Sequence, residues 1–282
     1  MNSKCNSNFI NCNLNDLQNK LVSMLDIFAS SCEKFGLKYF LYRGTLLGSI
    51  KYKKMIPWDD DIDIIMPRQD YNFLLKNYKK MFDNNFYIEC FSNTKGYFLP
   101  FAKFIDLNTT AIEVEFKDNL NMKHGVWLDI IPYDFSTKTK FNKFDSFVLT
   151  VLRHRIYNDV KKGDKFIIKL ERAFGHLLPR ERAFVKYDNF FVKRKKTKNK
   201  SIVISDVFKT ILPLEYFETT SVGEFNGKKY VIPANYNELL TYFYNNWKLD
   251  PPPEKKVSHH HFYIIDTTKP FKEYFKYEDI NY

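Results

Sequence analysis

Leu14, Leu17, Leu21, Leu25 and Phe28 recur at intervals of three and four residues, the spacing of one helix face, and Gly36 closes the helix they predict. Leu37–Tyr42 then reads as a strand that delivers Gly44, and Leu46-Leu47-Gly48-Ser49-Ile50 as a short helical turn. Asp61-Ile62-Asp63-Ile64-Ile65 alternates acid and aliphatic, which is strand periodicity. Pro67-Arg68-Gln69-Asp70 opens a helix through Tyr71, Leu74, Leu75 and Tyr78. Phe86–Phe91, Tyr97–Asp106, Thr110–Glu115 and Gly125–Ile131 are further strand candidates. Strands interleaved with helices predict an α/β (α+β) fold, a mixed sheet flanked by helices, within residues 1–135. Residues 136–282 read as a helical, charged segment with Phe141, Phe144, Phe147 and Val148 on one side, then a C-terminal unit packed on the core. In that unit Asn226-Gly227 marks a hairpin, Tyr236–Tyr244 a helix, and Pro251-Pro252-Pro253 a stiff connection.

Composition narrows the class. Aromatic residues at 18% and hydrophobic residues at 44% of 282 exclude a largely disordered chain. Cys5, Cys12, Cys32 and Cys90 form no C-x-x-C pair and read as reduced thiols. The start, MNSKCNSNFINCN, lacks the apolar core of a signal peptide, and no run approaches the ~20 apolar residues of a membrane span, which points to the cytoplasm. A net charge of +11 invites a polyanionic partner. Lys51–Lys54 lie beside the acidic stretch, where they would help hold phosphates; Lys193–Lys200 read as a solvated face rather than a nucleic-acid patch.

The acidic stretch carries the chemistry. On a strand, Asp61 and Asp63 point the same way, about 6.6 Å apart along the backbone, and Asp59 joins them if the extended run starts that early. Carboxylates crowded on one face repel unless a cation sits between them. A solvated acidic turn or a calcium loop would be the plainer readings, but Ile62, Ile64 and Ile65 call for a core and the D-x-D-x-D-G spacing is missing. A site for Mg2+ (or Mn2+) is therefore expected. Gly44-Thr45, between a strand and a helix start, suits backbone N–H groups offered to a phosphate. Asp129 interrupts the apolar run Val126–Ile131, a costly place for a lone charge; it reads as a third carboxylate of a two-metal arrangement, or as a cap before Pro132. Asp134, past that proline, reads as a loop residue, and Asp60, of opposite parity, as structural. His259-His260-His261 read as packed or substrate-contacting as readily as ligands.

G-[ST] followed by D-h-D-h resembles the pattern of polymerase-beta-like nucleotidyltransferases. More closely, GTLLGSIKYKKMIPWDDDIDIIMPRQDY resembles the signature of the LicD family, whose relatives include fukutin and fukutin-related protein. PFAKFIDLNTT (100–110), GVWLDIIPYD (125–134) and the tail from Phe225 to His260 resemble further blocks of that family in the same order. The resemblance implies a nucleotidyltransferase-like fold and a metal-dependent phosphotransferase. It would move a phospho-alcohol group, phosphocholine- or ribitol-phosphate-like, from a CDP-linked donor to a sugar hydroxyl of a glycan or glycolipid, releasing CMP. On that basis Asp61 and Asp63 would hold the metal, with Asp129 as third ligand or base and Asp59 as a further metal residue. Gly44, Thr45 and Gly48 would contact phosphate, and Lys103 would add charge to it. Arg43, before Gly-Thr, and Tyr244-Asn245-Asn246-Trp247 depart from the family pattern. The competing readings are a nucleotidyltransferase acting on nucleic acid or protein, and a non-catalytic glycan-binding relative. Pro57-Trp58 and the tail favour the glycan reading over nucleic acid.

Overall fold

The computed structural model describes residues 12–137, 140–157, 178–192, 201–204 and 210–274. Helix α1 (Leu14–Phe35) begins at a reciprocal cap: Asn13 Oδ1 accepts from the N–H groups of Asn15 and Asp16, and Asp16 accepts from the Asn13 N–H. Gly36, at φ 67°, ends it in a left-handed turn. The expected face, Leu17, Leu21, Leu25 and Phe28, is buried together with Met24 and Cys32 and packs on the central sheet. The strand expected over Leu37–Tyr42 is only β1 (Phe40–Leu41), because the chain turns into helix α2 (Arg43–Leu47) and a π-helical turn (Gly48–Tyr52) directly afterwards.

The sheet is mixed, as expected. Strand β2 (Asp63–Pro67) pairs antiparallel with β1 and parallel with β6 (Val126–Ser136). Strand β4 (Ala102–Asp106) lies antiparallel between β6 and β3 (Phe86–Glu89). Helix α3 (Arg68–Met81) follows β2, buries Tyr71, Leu74 and Tyr78, and leads into β3. Beyond residue 136, β7 (Ser201–Ile204) pairs with β6, and β8 (Ile211–Pro213) pairs with β7, so among the described residues the sheet has seven strands.

Strand β6 runs through a proline. Asp129 N–H points to β2, donating to Ile62 O, so residues of opposite parity point to the other edge. Pro132 has that parity and falls between the last β4 partner, Ile130, and the first β7 partner, Tyr133. Its missing N–H therefore breaks no ladder bond. This corrects the loop reading of Asp134, which sits inside β6, is 7% exposed and takes a two-toothed ion pair from Arg68 of α3 at 2.8 to 3.2 Å. Arg68 also reaches Asp188 of helix α5 (Arg180–Val192) at 3.0 Å. With helix α4 (Lys143–Tyr157), α5 forms a second apolar cluster of Leu149, Leu152, Ile156, Phe184, Tyr187 and Phe191.

The Asn226-Gly227 hairpin joins β9 (Thr220–Phe225) to β10 (Lys228–Pro233), both turn residues having positive φ, as a tight hairpin requires. Helix α6 (Tyr236–Tyr244) follows. Strand β5 (Thr110–Glu113), expected in the main sheet, instead pairs antiparallel with β11 (Phe262–Asp266), which no periodicity announced. Val114 N–H donates to His261 O, extending that ladder toward the histidine run. Between β5 and β6, a Cβ on Gly125 would stand 2.1 Å from the Asp106 carbonyl oxygen. Since that neighbour is backbone, Gly125→Ala is expected to cost at least about 1–3 kcal/mol of stability, read by chemical denaturation.

Among the described residues no helix is long and apolar enough to cross a membrane, and Cys12, Cys32 and Cys90 form no disulfide. Cys5 and Lys193–Lys200 lie outside the described residues.

Candidate active site

Register lays out the site. Asp63 of β2, Asp129 of β6, Lys103 of β4 and Glu89 of β3 stand opposite one another in a row across four strands. Cross-strand partners share a face, so one sheet face carries a line of ionisable groups. Asp61 precedes the row, just before β2 begins. The loop bearing Asp59 and Asp60 is pinned by α1, whose Gln18 Nε2 donates to Ile56 O at 3.1 Å and to Asp59 O at 2.8 Å.

Among the described residues two groups of side chains place ligand atoms within 4.8 Å of one another: Asp61, Asp129 and His260, and Asp59, Asp60 and Asp61. Asp63 belongs to neither. It nevertheless feels the same field: its carboxyl is held well above the ordinary range by desolvation, then by Asp61 and Asp129, with Arg43 and His260 opposing. Asp129 is pushed up to about 7, first by burial, against the opposing charges of Lys103 and His260. Asp59 is pushed up to about 9 by burial and by Asp61 and Asp60. Asp129 Oδ1 is buried with no hydrogen-bond partner. Buried carboxylates crowded in this way favour their protonated forms.

Asp60, expected to be structural, holds His260. Its Oδ1 lies 3.0 Å from His260 Nδ1, and its Oδ2 accepts the His260 N–H at 3.2 Å. Burial pushes the imidazole down, but Asp60 and Asp61 outweigh it and lift His260 to about 10. Trp127 meets His260 edge-on at 5.5 Å. Lys103, expected to add charge to a phosphate, is 4% exposed. Its Nζ lies 3.4 Å from the Trp127 ring centroid and 2.8 Å from Glu113 Oε2.

The glycines and Thr45 are used locally. Thr45 Oγ1 accepts the Asp63 N–H at 2.8 Å, tying α2 to the start of β2. A Cβ on Gly44 would stand 2.7 Å from Asp59 Oδ2, so the missing side chain is what lets that carboxylate close on the turn. A Cβ on Gly48 would stand 2.7 Å from Lys54 O and 3.1 Å from the Phe225 ring, the close approach by which the β9–β10 hairpin seats on the π-helical turn. Lys51 pairs with Asp250 at 2.6 Å.

The chain matches the family described as LicD/FKTN/FKRP, nucleotidyltransferase domain, over residues 36–147, the span holding α2, Asp59–Asp63, Lys103 and Asp129. Over that span the chain is similar to the LicD family. Lipopolysaccharide cholinephosphotransferase LicD of Haemophilus influenzae is 25% identical over 272 residues, which covers 85% of this chain and 92% of the relative.

The matched span supplies all the clustered carboxylates named above, while His260 comes from outside it. The sequence left His260 open between packing, substrate contact and ligation, because neighbouring histidines on an extended segment alternate faces. Its one signal was the resemblance of the tail, which ends at that residue.

Proposed function

We propose that this chain is a phosphotransferase that moves a phospho-alcohol group from a CDP-activated donor to a sugar hydroxyl of a glycan, with Mg2+ or Mn2+ at the carboxylates. The observation that carries this reading is the convergence of Asp61 and Asp129 with His260 within 4.8 Å, in a chain similar to a cholinephosphotransferase. The donor set fits a hard divalent ion: carboxylate oxygens suit Mg2+ and Mn2+, and the imidazole extends the range toward Mn2+. The buried, unpartnered Asp129 Oδ1 fits as well, since a charge there needs a cation. Asp61, Asp129 and Asp59 would hold the ion or ions, with Asp63 and His260 completing the surround. When bound, the ion neutralises phosphate charge and lowers the barrier to displacement at phosphorus.

The protein's own groups do the positioning. The acceptor hydroxyl oxygen bonds to the phosphorus nearer the alcohol, the bond to the CMP oxygen breaks, and CMP leaves. The hydroxyl proton passes to a carboxylate of the cluster, Asp129 being the candidate from the neighbouring strand. Asp60 fixes the ring of His260, and Lys103 offsets the charge of Asp129 from across the strand pair.

The test is a panel of CDP-, UDP- and GDP-linked alcohols, each incubated with glycan acceptors with and without Mg2+ or Mn2+. Ion-dependent release of CMP, lost in Asp61→Asn, is the expected result. Release that is ion-independent or unchanged in Asp61→Asn would remove the assignment.

A further inference from the structure

We propose that the outer face of helix α4 docks on an anionic membrane surface, an inference that goes beyond the phosphotransferase reading and does not depend on it. The sequence puts Phe141, Phe144, Phe147 and Val148 on one side of this segment, but the structure divides them. Phe141 and Val148 pack against the second apolar cluster, whereas Phe144 is 73% exposed and Phe147 47% exposed. Leu149, Leu152 and Ile156 already supply the inward face of α4. Phe144, Phe147 and half-buried Val151 follow at i, i+3 and i+7, a second apolar stripe turned away from that cluster. A helix apolar on two sides is ordinarily covered on both. Here Phe144 and Phe147 are left in water.

Charge decides what covers them. Lys140 and Lys143 flank the stripe and are exposed, as are Arg182 and Lys186 of α5. The two helices run antiparallel: Phe141 meets Phe190 at one end, and Arg180 Nε donates to Ile156 O at the other. Among the described residues of the pair, the one exposed carboxylate is Glu181, since Asp145 is buried and Asp188 pairs with Arg68. In the sequence, α5 is followed directly by six basic residues within eight, Lys193–Lys200.

A second copy of the chain would bring these cations face to face about a two-fold axis, where like charges repel. An anionic lipid surface accepts both features at once. Aromatic side chains enter the boundary between headgroups and acyl chains, while the flanking cations meet the phosphates. Arg68 ties α5 to the end of β6, so a docked helix pair holds the sheet with it. A chain held there would share its surface with lipid-anchored glycans.

The experiment floats the whole chain with vesicles of phosphatidylcholine alone, or with phosphatidylglycerol added, at low and at high salt. The parent is expected to bind the phosphatidylglycerol vesicles, to bind phosphatidylcholine alone far less, and to release as salt rises. At these exposures each phenylalanine is worth roughly fivefold or more in affinity, and each lysine about fivefold. Phe144→Ser with Phe147→Ser leaves the charge unchanged and should weaken binding at least about tenfold. Lys140→Gln with Lys143→Gln should weaken it at least about fivefold. Both pairs should melt with the parent, because the altered side chains lie in water. No binding by the parent overturns the inference. So does undiminished binding by the serine pair, which would leave only general attraction of a basic chain to anions. A serine pair that melts well below the parent would give the phenylalanines to the fold, and a parent dimer that the serine pair dissolves would give them to a self-contact; either result overturns it. Vesicle binding without release of CMP from any donor leaves this inference standing while the phosphotransferase reading falls.

Discussion

Asp129→Asn is expected to yield a protein at least as stable as its parent that turns over donor at least about a thousandfold more slowly. Asp129 is 7% exposed, its carboxyl is held up to about 7 by burial first, and Asp61 adds repulsion. Replacing it by an amide of the same shape removes a charge that the metal-free fold accommodates poorly, a change that is usually neutral or stabilising. The amide can neither hold a divalent ion as a carboxylate does nor accept a proton, so an interaction needed at the transition state goes. Rates of nucleotide release and thermal melts at pH 8 without metal check both halves. A variant that melts well below its parent would mean that Asp129 serves the fold, and near-normal turnover would end its proposed role.

The metal-free protein should lose stability as pH rises from about 4 to 9, and Mg2+ or Mn2+ should restore more of it at the alkaline end. Burial, then neighbouring carboxylates, lifts Asp59 from 3.8 to about 9, and burial lifts Asp129 from 3.8 to about 7. Against burial, Asp60 and Asp61 lift His260 from 6.5 to about 10. All three keep their protons longer in the folded state than in the unfolded chain, so the unfolded chain binds fewer protons between the two values and stability falls with rising pH. The contribution of Asp129 is whole below about 4 and gone above about 7; that of Asp59 fades by about 9; that of His260 is whole below about 6.5 and fades by about 10. These groups share protons, so the combined slope is the observable, on the order of a few kcal/mol. A divalent ion takes the place of those protons and removes the repulsion. Melting temperatures at pH 5, 7 and 9, with chelator and with saturating Mg2+, give the result. An ion effect equal at pH 5 and pH 9 would contradict the cluster.

What could be read beforehand follows from what is local. The face of α1, α3, the hairpin at Asn226-Gly227 and α6 each carry their own periodicity or turn chemistry, and each forms, while the strand expected over Asp61–Ile65 forms at Asp63–Pro67. Asp129 was legible because a charge inside an apolar run needs a reason, and it comes to lie within ligand distance of Asp61. Asp134 and Lys103 were not, because their burial depends on partners contributed by other strands and helices. Asp61 and Asp63 were expected to act as one pair. The strand begins only at Asp63, which leaves Asp61 in the loop, free to join both ligand groups while Asp63 joins neither. His260 meets Asp60 across 200 residues, and no short-range pattern reports a contact of that separation.

The pairing of β11 with β5 fixes when the site can exist. His260 stands just before β11, whereas the acids it faces lie in the first half of the chain. A nascent polypeptide therefore exposes its aspartates long before their histidine partner leaves the ribosome, and the centre stays unfinished until the last strand zips on. Synthesis interrupted anywhere before residue 260 would release a sheet carrying the acids without the histidine that Asp60 holds.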